Sequence, residues 1–172
     1  TNIDGPLSRF DTMQKDNPPL RPAAVKALVV IQAIFAFVGM MSAYGMLASP
    51  SGEGMGLEHL RDDLPVDDFT LVGLFFLAFY GILPAVAAYG LWTRKRWSWT
   101  EPINKWTGQH WSWTATAALG IVLILWIIAE VYFLGILDGI GGALQAGMSI
   151  LGVLLLAMVM LPSVKSATKP QD

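Results

Sequence analysis

Four stretches of the chain are apolar at nearly every position: Ala24 to Leu47, Phe69 to Trp92, Thr114 to Leu137 and Gly142 to Leu161. About 20 residues in a helix, rising 1.5 Å each, cross the ~30 Å hydrocarbon core of a bilayer. The runs are continuously apolar with no period-two alternation, and an open sheet cannot satisfy its backbone in lipid. The pattern therefore predicts an all-α, polytopic membrane protein with four transmembrane helices in an antiparallel bundle. Its expected parts are a polar tail (1–22), a transmembrane domain (23–161, spans at about 24–47, 69–92, 114–137 and 142–161) and a second tail (162–172). Pro22 suits the start of span one, because the first helical N–H groups have no intrahelical acceptor. Pro162 closes span four.

Composition agrees with the pattern. Hydrophobic residues make up 54% of the 172 residues and charged ones only 14%, against about 25% charged in a soluble domain. The segment Thr1 to Arg21 carries Asp4, Asp11 and Asp16 and lacks the apolar core of a signal peptide. Span one is thus expected to act as an uncleaved insertion signal.

The charges add direction. Ten of the eleven Lys and Arg residues fall on one side: Arg9, Lys15, Arg21 and Lys26 before or at span one, Arg94, Lys95, Arg96 and Lys105 between spans two and three, Lys165 and Lys169 after span four. Only Arg61 lies on the other. The positive-inside rule then places both termini and the middle connection in the cytoplasm, with the chain in the plasma (inner) membrane. The Ala48 to Asp68 loop and the short Asp138 to Gly141 turn fall outside. The acidic residues of that first loop, Glu53, Glu58, Asp62, Asp63, Asp67 and Asp68, lack the alternation and central glycine of a calcium loop. A solvated helix from Leu57 to Leu64, ending at Pro65, is expected there.

Six of the seven tryptophans, Trp92, Trp97, Trp99, Trp106, Trp111 and Trp113, flank or follow the basic triplet Arg94, Lys95, Arg96. Indole favours the headgroup layer, having an apolar body and an N–H that needs a partner. These nine residues are therefore read as lipid-interface residues, and Glu101 to Gly108 as a short interfacial helix with Pro102 in its first turn. Lipid accounts for the aromatic and basic interleaving, and no nucleic-acid partner is expected.

Glu130 is the one acidic residue inside a span, seven residues before Leu137 and so ~10 Å below the expected boundary. A carboxylate at that depth is costly unless protonated or given polar partners. Matching depths on the other spans brings up Tyr80, Gln145 and Ser149 as an intramembrane polar cluster. Pro84 removes one helical hydrogen bond and frees the Tyr80 carbonyl, to which Gln32 is placed to donate. Gly39 with Ala43, and Gly81 with Ala85, suit close helix packing.

Several chemistries are excluded. There is no cysteine for disulfides, thiolate metal sites or thiol catalysis. Both histidines, His59 and His110, lie in connections, so no span offers a haem ligand. No phosphate loop, His-Glu-x-x-His helix or Gly-x-Ser-x-Gly turn occurs, and neither a cofactor nor a catalytic residue is expected.

The segment Ala88-Tyr89-Gly90-Leu91-Trp92, followed by Arg94-Lys95-Arg96, Trp97 and Trp99, resembles uncharacterised small four-span prokaryotic membrane proteins in which span two ends in a Gly-Leu-Trp segment and a basic, Trp-containing turn. That resemblance implies the four-span topology and carries no activity. The expectation is a noncatalytic accessory or scaffolding subunit, acting through helix and lipid contacts with other membrane subunits or further copies of itself, an energy-transducing complex being one host. The alternative is an oligomeric proton-coupled small-solute carrier or channel using Glu130.

Overall fold

The computed structural model describes residues 21–170. Arg9, Lys15 and the rest of the expected tail before Arg21 lie outside the described residues, as do residues 171–172. Every regular element among the described residues is helical. Four helices are long and apolar enough to cross a membrane: α1 (Ala23–Ala48), α2 (Thr70–Thr93), α4 (Trp111–Leu134) and α5 (Gly139–Met160). Two short helices, α3 (Glu101–Thr107) and α6 (Pro162–Ala167), complete the set.

Helix ends follow local chemistry. Pro22 precedes α1, while Gly108 stops α3 in the left-handed region at φ 64°, where glycine carries no Cβ penalty. Gly135 stops α4 at φ 73° and ψ −172°, a conformation essentially confined to glycine. This glycine moves the boundaries expected from the apolar run. The α4–α5 connection is residues 135–138 instead of 138–141, so Ile136 and Leu137 are loop residues although apolar. Glu130 consequently lies four residues from the last residue of α4, about 6 Å along the axis, and not ~10 Å inside a span.

The loop between α1 and α2 holds short helical turns. The helix expected from Leu57 to Leu64 is present as an exposed 3-10 helix, Glu58–Asp63, after a shorter one at Glu53–Met55. No side chain caps the second turn, and short uncapped runs settle into i to i+3 bonding. Buried Phe69, whose N–H donates to the Pro50 carbonyl at 3.0 Å, ties the loop back to the end of α1.

Within α2, residues Phe76–Ile82 adopt the wider π register, and the Leu83 N–H bonds to Ala78 five residues back. Pro84 explains the location: it has no N–H for the Tyr80 carbonyl in the α pattern, so the turn before it must relax.

The long helices pack in chain order, α1 on α2, α2 on α4 and α4 on α5, with glycine at each close approach. A Cβ on Gly39 would overlap the Tyr80 carbonyl, and one on Gly90 would overlap the Trp111 ring. Gly120 and Gly152 meet reciprocally: a Cβ on either would sit 3.0–3.1 Å from the other's carbonyl oxygen. Close backbone approach at small residues supplies the van der Waals contact that joins helices in an apolar solvent. Around these points Leu28, Tyr80, Leu91, Leu119, Leu123, Leu155 and Val159 form the buried core.

Candidate functional site

Two polar constellations stand out, one at each end of α4. The first centres on Glu130, which is half-buried. Its Oε2 accepts from the Trp126 indole N–H at 2.8 Å, and its Oε1 accepts from Gln145 Nε2 at 3.2 Å. The same Gln145 amide donates to the Gly135 carbonyl at 3.2 Å, and its Oε1 accepts the Leu137 N–H at 3.1 Å. One buried glutamine thus joins the carboxylate to two backbone groups of the α4–α5 connection. The Ser149 hydroxyl donates to the Gln145 carbonyl one turn back, at 2.9 Å, and does not reach Glu130.

Tyr80 corrects the expected cluster. It is fully buried, yet its hydroxyl has no hydrogen-bond partner among the described residues. Its ring packs edge-on to Trp126, with centroids 6.3 Å apart, inside a group that includes Phe75 and Phe76. Trp126, stacked on Phe75 at 4.5 Å, is the donor to Glu130 beside Gln145. The signal for this pair was the spacing, since a tryptophan four residues before a glutamate on one helix faces the same way.

Gln32 is likewise not a partner of the Tyr80 carbonyl. It donates to Thr116 Oγ1 at 3.2 Å, and Thr116 donates to the Ser112 carbonyl at 2.8 Å. Gly39, not Gln32, lies opposite Tyr80, seven residues or about 10 Å further along α1.

The second constellation is the turn between α2 and α4. Of the nine residues read as lipid-facing, Trp92, Trp99 and Trp106 are exposed, Trp106 at 86%. Trp111 is not: at 4% exposure it stacks on Trp97 at 4.7 Å and donates its indole N–H to the Lys95 carbonyl at 2.9 Å. Half-buried Trp113 donates to the Val159 carbonyl of α5 at 2.8 Å. Protein carbonyls satisfy these two indoles, because both residues fall inside α4 and are turned toward neighbouring helices.

His110 organises this end. Its Nδ1 accepts the Ser112 N–H at 3.4 Å and lies 2.8 Å from the Ser112 hydroxyl, making it the N-cap of α4. The tautomer protonated on Nε2 donates to the Lys95 carbonyl at 3.2 Å. Burial holds the imidazole below its ordinary value; the bond to Lys95 opposes that shift, and the nearby charges of Arg94 and Arg96 reinforce it. The His110 N–H also reaches the Thr168 carbonyl at 2.7 Å, docking the segment after α6 beneath the turn.

The basic triplet divides by role. Arg96 pairs with Glu101 at 3.1 Å and holds that carboxyl below its usual range. Arg94 closes α2 in the left-handed region at φ 52°, a conformation costing a side-chain-bearing residue ~1–2 kcal/mol. Lys95 is exposed, its carbonyl shared by His110 and Trp111.

No three His, Cys, Asp or Glu side chains converge among the described residues. The arrangement defines a helical chain with four helices long and apolar enough to cross a membrane, polar where helices meet and aromatic at one end. Comparison with protein-family models, curated proteins and solved structures returns no match.

Proposed function

We propose that this chain is a noncatalytic integral membrane subunit that acts by contact, as an accessory or scaffold within a larger membrane assembly. Its four long helices form an antiparallel bundle, with α3 lying in the membrane interface. Both termini and the Trp-rich turn face the cytoplasm at the plasma (inner) membrane. The observation that carries the reading is the use of Glu130. Both carboxylate oxygens accept hydrogen bonds from within α4 and α5, and the donor Gln145 also fixes the connection between those helices. Such a carboxylate is a structural acceptor that orders a helix pair. The Gln32–Thr116 pair joins α1 to α4 in the same manner.

Purification in mild detergent followed by mass spectrometry of co-eluting proteins tests this. A stoichiometric multi-subunit particle supports it; a lone homo-oligomer opposes it. A second reading, an oligomeric proton-coupled carrier or channel, is favoured by the Tyr80 hydroxyl beside Trp126, which has no hydrogen-bond partner among the described residues. On that reading Glu130→Gln abolishes a proton-linked flux in proteoliposomes and leaves assembly intact.

A further inference from the structure

We infer that the Trp-rich end of α2 carries a binding site for the phosphate of an anionic phospholipid, built by Arg21, Trp92, Arg94 and Lys95. This deepens the contact role proposed above and rests on that end lying at the bilayer surface. The central observation is a cation held over an aromatic ring from a separate element, with two further basic residues close by in sequence. Arg21, from the segment before α1, places its guanidinium carbon 4.4 Å from the centroid of the Trp92 ring, in the last turn of α2. Two residues on, half-buried Arg94 has an enclosed Nε without a hydrogen-bond partner among the described residues, and exposed Lys95 follows.

Among the described residues Arg21, Arg94 and Lys95 have no acidic partner, whereas Arg96 is engaged by Glu101. A helix C-terminus favours cations near its carbonyls, which accounts for Arg94 and Lys95. It does not account for Arg21, held over the face of an exposed indole from another element. A phosphodiester beside Trp92 answers the charge of Arg21, because guanidinium groups bind phosphate oxygens in paired hydrogen bonds, and Arg94 and Lys95 follow Trp92 within three positions. The exposed indoles of Trp92, Trp99 and Trp106 suit the adjoining glycerol and acyl boundary, which selects a lipid over a free anion.

Tryptophan quenching in vesicles tests the site on the full chain, using brominated phosphatidylglycerol or brominated phosphatidylcholine in a phosphatidylcholine background. The expected result is stronger quenching by the anionic lipid, with its relative affinity falling about five-fold for each of Arg21→Gln and Lys95→Gln, and unchanged in Lys169→Gln. Equal quenching by the two lipids overturns the proposal, and so does an equal fall in Lys169→Gln, which would indicate a diffuse surface potential. Loss of the preference on adding inorganic phosphate at constant ionic strength overturns the lipid assignment in favour of a free anion. No quenching by either lipid would instead defeat the membrane placement itself, a separate failure.

Discussion

Gly39 of α1 lies against the carbonyl of Tyr80 in the π turn of α2, so closely that a Cβ there would overlap the carbonyl group. The contact joins two features of the chain separated by 45 positions, a glycine and Pro84. The proline cannot donate to the Tyr80 carbonyl in the α pattern. Without a side chain, Gly39 leaves room for that carbonyl where the helices pack closely.

Gly39→Ala should therefore separate α1 from α2 and destabilise the fold by about 1–3 kcal/mol, the usual cost of overpacking. Gly147 provides the contrast, since a Cβ on it would meet nothing within 4 Å. Gly147→Ala should be neutral or stabilise by up to ~1 kcal/mol through helix propensity. Thermal unfolding of both variants in one detergent checks the pair; equal melting temperatures would refute the close contact.

At Glu130, substitution by alanine strands the Trp126 indole N–H and removes one acceptor from Gln145. A loss of about 1–3 kcal/mol should follow. Glu130→Gln keeps an acceptor and should cost less than half as much. A Trp126→Phe, Glu130→Ala double-mutant cycle, read by unfolding, should show positive coupling; strict additivity would show that the bond contributes nothing.

Gln145 pins the Leu137 N–H and the Gly135 carbonyl. In Gln145→Leu the connection between α4 and α5 loses both restraints. Amide exchange at Leu137 should accelerate at least ten-fold while exchange in the middle of α4 is unchanged. Uniform acceleration along α4 would instead mean that Gln145 supports the whole helix.

His110 gives the fold a pH dependence. Its proton affinity in the folded chain is held below the ordinary value of 6.5, chiefly by burial. Well above that value both folded and unfolded chains carry neutral imidazole and no difference arises. As pH falls through it, the unfolded chain protonates first and the folded state loses relative stability. The melting temperature should drop between about pH 7.5 and pH 5.5. His110→Asn retains an acceptor for the Ser112 N–H and should flatten that drop. A variant that keeps the full slope would assign it to another group.

The four apolar runs determine four helices on their own, because a backbone in lipid must satisfy itself within one segment and 20 apolar residues are enough to do so. The partnership of Trp126 with Glu130 was also open to inspection, since residues four apart on a helix share a face. Sequence separation says nothing, however, about how far each helix is rotated about its axis or slid along its neighbour. Those two quantities decide that Trp111 and Trp113 donate to protein carbonyls while Trp106 is exposed, and that Gln32 meets Thr116 instead of Tyr80. An indole N–H or an amide accepts any well-placed partner, so residue type defines the need for a hydrogen bond and only the packed helices choose which group fills it.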